Sequence, residues 1–236
     1  VVPSTPRRWS LLETTSGCNG VGCQQSLIWF VPSLTALAAA QARGVRASAE
    51  ASPHHLLLSA EAFLERGPDP NLKMNPPLRG PDDVAALRRA LRDGVVAAVA
   101  TDHAPHSAAA KARGLESAPF GVIGTETAFS VLCEALVHGE GWPLALLIER
   151  LTSGPARIAG LAAGRLFEGP PALVVIDPDE PFEVRSDTFL SRSRNCPFEG
   201  WRGRGRVAAT LLGGALEPSA APGRPSGAAD AQAISG

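Results

Sequence analysis

The reading of this chain turns on one stretch, Val95-Val96-Ala97-Ala98-Val99-Ala100-Thr101-Asp102-His103-Ala104-Pro105-His106. Its first half is a continuous run of small and β-branched residues, which suits a strand buried on both faces of a parallel sheet or barrel. The run stops at Asp102, so a carboxylate stands at the C-terminal end of a buried strand, where barrel enzymes place catalytic groups. An aspartate followed by His103 and His106 can bind a metal, accept a proton and contact a substrate, which are the parts of metal-assisted hydrolysis. Taken alone, the pentad reads more readily as an aspartate capping the next segment with two solvated histidines.

Upstream, Pro81 suits a first helical position, Asp82 and Asp83 suit the positive end of a helix, and Val84, Leu87 and Leu91 form an apolar stripe that ends at Gly94. Before that helix, Asn75-Pro76-Pro77-Leu78-Arg79 carries two prolines that deny it helix and central strand, so it is expected to be a fixed loop. Val45 to Ala51 reads as a strand. Leu34, Leu37 and Ala38 recur at helical spacing, with Gly44 at the helix end. Helix, strand, helix and strand thus alternate, the pattern of an α/β fold. In Val1 to Ser33 no period is sustained, and no regular element is expected there.

Downstream, helices are expected at Thr125 to His138, Trp142 to Thr152 and Pro155 to Leu161, with His138 at a solvent-exposed helix end. Near residue 163 the pattern becomes β, with strands at Leu173 to Ile176, Phe182 to Val184 and Val207 to Leu212 separated by Pro, Gly and Asp turns. From Glu217 the chain is rich in Ala, Pro, Ser and Gly and reads as a disordered tail.

Composition narrows the classes of function. The 236 residues are 44% hydrophobic, enough for one substantial core, and 22 basic against 23 acidic residues leave a formal charge of −1. Such a balance provides no field to gather nucleic acid or an anionic membrane. No apolar run reaches the roughly 18 to 20 residues that span a bilayer, and a cytoplasmic location is expected. Cys18, Cys23, Cys133 and Cys196 are scattered and read as reduced thiols.

Four segments then bear on one another. Asn75-Pro76-Pro77-Leu78-Arg79 lies 27 residues before Asp102, Phe120-Gly121 lies 18 residues after it, and Ser52-Pro53-His54-His55-Leu56 follows the earlier strand. With Asp102 to His106 they resemble dihydroorotase, a zinc-dependent cyclic amidohydrolase that interconverts N-carbamoyl-L-aspartate and dihydroorotate in pyrimidine biosynthesis. The resemblance runs from about Leu34 to Gly214 and includes Gly164 to Gly169, Asn195-Cys196-Pro197-Phe198-Glu199-Gly200 and Gly205-Arg206-Val207. It implies the C-terminal part of a (β/α)8 barrel over residues 34–162, then strands of a small β subdomain over 163–216. Residues 1–33 stay unassigned and 217–236 form the tail.

Carried over residue by residue, the resemblance makes Asp102 a metal ligand and the general base that later protonates the leaving nitrogen. Asn75 and His106 match positions that contact the substrate, and Phe120-Gly121 matches a loop lying against its ring. Arg79 is divided between a loop-fixing salt bridge and a substrate contact. His54, His55 and His103 are expected behind the site rather than as ligands.

The family's remaining ligands, a His-x-His pair, a bridging Asp or carboxylated Lys and two single histidines, have no counterpart here. The last of them would fall near Leu27, and the two lysines, Lys73 and Lys111, lie beyond the region of a bridging lysine. Asp102 is the sole ligand matched. The expectation is therefore a truncated or frame-shifted dihydroorotase that does not retain zinc, is inactive alone and is poorly soluble through its open strand edges. The alternatives are a non-catalytic partner of aspartate carbamoyltransferase, and an allantoinase or hydantoinase relative.

Overall fold

A computed structural model describes residues 24–27, 31–161, 172–213 and 215–219 of the chain. Its first half alternates helix and strand. Strand β1 (Gln24–Leu27) leads to α1 (Val31–Ala42), β2 (Ala47–Ala51), α2 (Pro53–Leu57), α3 (Ala62–Arg66), α4 (Pro81–Asp93) and β3 (Ala98–Val99). The three strands form one parallel sheet in the order β1-β2-β3. Among the described residues β1 and β3 are its edges, whereas a closed barrel has none.

Helix α4 forms as its sequence demands. Pro81 occupies the first turn with Asp82 and Asp83, and Gly94 closes the helix in the left-handed conformation at φ +85°. Val84, Leu87 and Leu91 are buried, each contributing at most about 1.5–3 kcal/mol of apolar transfer, and α4 packs on α1 and α2. Asp83 also reaches α1, accepting a hydrogen bond from Val31 N at 2.9 Å. The fully enclosed core is built around Leu56, Met74, Leu91, Leu132, Leu147 and Phe198.

Two expectations need correction in this half. The strand foreseen over Val95 to Thr101 is paired only at Ala98–Val99. Its start is still tied to α4 through Val96 N donating to Ala90 O, and its end bends away to place Asp102 at φ +49°. Conversely, a regular element exists where none was expected, because Gln24–Leu27 pairs with β2 from Gln24↔Ala47 to Leu27↔Glu50. The letters QQSL carry no alternation, so backbone pairing to a neighbour defines this strand rather than any apolar period.

Beyond β3 come two short helices, α5 (Ala108–Lys111) and α6 (Gly114–Ser117). Helix α7 (Ala128–Leu132) then runs into a π-helical segment, Cys133–Gly139, and is followed by α8 (Leu144–Leu151) and α9 (Ser153–Ala159). The last part is an antiparallel sheet of β4 (Leu173–Glu183), β5 (Arg202–Leu212) and β6 (Ala215–Pro218). The two strands foreseen at 173–184 are one: Asp177 Oδ1 accepts from Asp179 N and Glu180 N, so the turn signal becomes a bulge within β4. Strand β6 continues one residue past the start of the expected tail, to Pro218, and residues 220–236 lie outside the described set.

This second sheet is locked onto the π-helical segment. Arg204 N donates to Glu134 Oε2 at 2.7 Å, and a Cβ at Gly205, where φ is +115°, would meet Cys133 Sγ at 2.7 Å. His138, expected in solvent, instead donates through Nε2 to Pro178 O at 2.8 Å and ties the helix to the β4 bulge.

Candidate active site

The site lies at the C-terminal ends of β2 and β3. Ser52 follows β2 and caps α2, its Oγ accepting from His55 N and donating to His55 Nδ1 at 2.7 Å. That leaves the His55 proton on Nε2, which donates to Pro76 O at 2.9 Å. His55 is therefore a strut under the loop that begins with the cis Asn75-Pro76 bond. The neighbouring His54 is 1% exposed and stacks obliquely on His55, with ring centroids 4.4 Å apart.

His54 Nε2 is buried without a hydrogen-bond partner and lies 3.6 Å from Asp102 Oδ2, too far for a hydrogen bond. Burial, and then the adjacent His55, hold its pKa at about 3, so the ring is neutral. The Asp102 side chain is 38% exposed, and water screens its pull on the proton. Asp102 is the one non-glycine at positive φ among the described residues, a conformation that costs free energy and recurs at functional sites.

The other wall of the site is built by the segments 103–106 and 119–123. Ala104 N donates to Val122 O at 2.9 Å, and His103 pairs with Val122 as an isolated parallel bridge. His106 Nε2 donates to Phe120 O at 2.8 Å. Gly121 is obligatory: at φ +116° an added Cβ would lie 2.5 Å from Ala104 Cβ and 3.3 Å from His106 Nε2. Gly121 N donates to Lys73 O at 2.9 Å, two residues before Asn75. The Lys73 ammonium sits 4.6 Å from the centroid of the exposed Phe120 ring.

Two residues given no site role from sequence hold these loops together. Lys111, 6% exposed, donates to Pro70 O at 2.9 Å, Pro119 O at 3.0 Å and Lys73 O at 3.5 Å, while burial and then Lys73 lower its pKa. Asn195, 3% exposed, bonds both loops. A cavity of about 260 Å³ beside His106 is lined by Asn71, Lys111, Arg194 and Asn195. A larger one of about 360 Å³, lined by Phe129, Phe182 and Phe189, lies against the second sheet, and Asp102 and His106 are not part of its lining.

The sequence-derived site residues are thus mostly neighbours. His106 is hydrogen-bonded to Phe120, Gly121 N reaches the loop that carries the exposed Asn75, and Asp102 directly precedes His103, which bridges to Val122. Arg79 forms an ion pair with Asp83 at 3.6 Å. His103 Nδ1 accepts from Gly124 N and Thr125 N, both at 3.3 Å, which occupies that nitrogen with backbone. Cys133 and Cys196 are free, buried thiols, and burial lifts the Cys196 pKa to about 12; Cys18 and Cys23 lie outside the described residues. Among the described residues no group of three or more His, Cys, Asp or Glu could hold a metal ion. Zinc held for catalysis takes three protein ligands. Asp102 with the unpaired His54 Nε2 makes two donors, which by themselves do not constitute a zinc site.

The model of the amidohydrolase family matches residues 21–216. This chain belongs to the amidohydrolase family. Among curated amidohydrolases, it is 47% identical over 178 residues to the dihydroorotase of Bacillus cereus, and a dihydroorotase of Bacillus thuringiensis matches equally. Each alignment takes in 75% of this chain and 41% of the relative, so the chain spans about two fifths of their length. Solved structures of the same architecture include an L-hydantoinase (dihydropyrimidinase) from Arthrobacter aurescens, with TM-score 0.75 and 24% identity. A dihydropyrimidinase from Brevibacillus agri gives TM-score 0.72 and 22% identity. Both cover 81% of this chain and 44% of the neighbour, and they establish the barrel fold of this amidohydrolase segment. No helix among the described residues is long and apolar enough to cross a membrane.

Proposed function

We propose that this chain carries the substrate-binding and acid–base part of a dihydroorotase, acting between dihydroorotate and N-carbamoyl-L-aspartate in pyrimidine biosynthesis in the cytoplasm. The observation that carries the reading is the convergence of His106, Phe120-Gly121 and the Asn75 loop beside Asp102, in a segment 47% identical to dihydroorotases. Asp102 accepts the proton of the attacking water and returns it to the ring nitrogen as the amide bond breaks. His106, its Nε2 proton engaged by Phe120 O, offers Nδ1 as a substrate acceptor. Asn75, the Phe120 ring and the Gly121 backbone line the ring's position.

Zinc is the cofactor the family reading calls for, and the described residues supply too few donors for it. The remaining ligands belong outside them, and by itself this chain is proposed to lack turnover. Retention of Asp102, Asn75 and His106 weighs against a purely scaffolding role beside aspartate carbamoyltransferase, because a scaffold needs none of them.

The test is a chimera in which the segment from Leu34 to Gly214 replaces its counterpart in the Bacillus cereus dihydroorotase. Ring opening of dihydroorotate in preference to hydantoin or allantoin, abolished by Asp102→Asn, is the expected result. A folded, zinc-loaded chimera that opens hydantoin instead, or none of the three, would overturn the reading.

A further inference from the structure

Asn195, 3% exposed, is a buried polar residue that the functional reading leaves without a role. It stands in the segment between β4 and β5, far along the chain from the two loops it touches. Its neighbours anchor it from behind. Phe198 is fully buried and packs edge-on against Trp201 at 4.9 Å, and Arg66 donates to Pro197 O at 2.6 Å. The position of Asn195 is thus fixed by the core and not by the site.

The side-chain amide then uses its donor and acceptor sides on both loops of the wall built by 103–106 and 119–123. Oδ1 accepts from His106 N at 3.3 Å, and Nδ2 donates to Ala104 O at 3.0 Å and to Gly121 O at 3.1 Å. The backbone carbonyl of Asn195 also accepts from Ile123 N at 3.0 Å. A planar amide supplies two N–H donors and one oxygen acceptor on a short stem, which matches this demand; a carboxylate lacks the donors and a hydroxyl lacks the span. At 3% exposure an unmet partner would not be rescued by bulk water.

We infer that Asn195 is a positioning residue for the reaction proposed above: it staples His106 to Gly121 and so fixes the substrate-contacting wall before any ligand arrives. The role rests on that functional reading. His106 Nε2 is already committed to Phe120 O, and Gly121 is already packed on Ala104 with no room for a methyl. Asn195 closes the same unit from its buried side, so a small displacement at residue 195 shifts both contacts together. Positioning losses of this kind fall on binding and rate more than on the fold.

The experiment uses the full chain with orotate, the planar analogue of dihydroorotate, as probe. Orotate affinity and the His106 and Gly121 NMR responses are followed in the wild type, Asn195→Ala, Asn195→Asp and His138→Ala. Amide exchange at His106 is measured on the same samples without ligand. Asn195→Ala is expected to weaken orotate at least tenfold and to accelerate His106 exchange. Asn195→Asp, which keeps the acceptor, should preserve His106 protection yet still weaken orotate. His138→Ala removes a hydrogen bond far from the site and is expected to lower stability without altering orotate affinity. Unchanged affinity in both Asn195 variants, or equal weakening in His138→Ala, would overturn the inference. A wild type that ignores orotate would instead remove the functional reading, and unaltered His106 exchange in Asn195→Ala would then dispose of the staple as well.

Discussion

The two walls of the site differ in how completely their polar groups are satisfied. On the loop wall, His106, Gly121, Lys111 and Asn195 form a closed set of hydrogen bonds. On the acid wall, His54 Nε2 is buried and unpaired, and Asp102 sits at positive φ with no hydrogen bond between them. The difference separates two kinds of preorganisation. The loop wall is held by the chain's own hydrogen bonds, whereas the acid wall keeps a desolvated imidazole nitrogen and a strained backbone position without them.

The sharpest break would come at Gly121. Gly121→Ala combines left-handed strain with a 2.5 Å approach to Ala104 Cβ, and is expected to cost about 3 kcal/mol in urea unfolding. A loss below 1 kcal/mol would mean that the two loops are not packed as described. Lys111→Met leaves three carbonyls without their ammonium and should cost about 2 kcal/mol, with faster exchange at the Gly121 amide. Retained protection at Gly121 would show that the loops hold without this clamp.

On the acid wall the expected signature is pH. The folded pKa of His54, about 3, is depressed below its ordinary 6.5, so between these values the unfolded chain binds one more proton. Stability is then full above pH 6.5 and falls by about 1.4 kcal/mol per pH unit on acidification toward pH 3 in metal-free protein. His54→Phe should remove His54's part of that slope, while His55, whose pKa burial also lowers, keeps its own. A slope unchanged in the variant assigns the effect to another group. The smallest effect is expected away from both walls, where His138→Ala loses one hydrogen bond to Pro178 O, about 1 kcal/mol in thermal unfolding.

The sequence made some of this legible for physical reasons. Helix α4 was readable because Pro81, Asp82, Asp83, the Leu87–Leu91 stripe and Gly94 agree on one element. Asp102 was readable because an apolar run must end somewhere, and this one ends in a carboxylate. Strand β1 was not, since QQSL has no alternation and owes its state to the partner strand. Lys111 and Asn195 were missed as site-builders for a related reason: each acts on backbone carbonyls and amides, which leave no mark in the letters of their partners. For Lys111 the available signal was its rarity, one of two lysines in the chain, flanked by alanines in a short helix.

The central claim is that the loop wall is built without the metal. Its most direct test is a titration of the zinc-free full chain with orotate, following the His106 imidazole and the Gly121 amide by NMR. Saturable shifts at both positions, with zinc changing the endpoint little, are the expected result. No response at either position until zinc is bound, or an equal response to hydantoin, would contradict it.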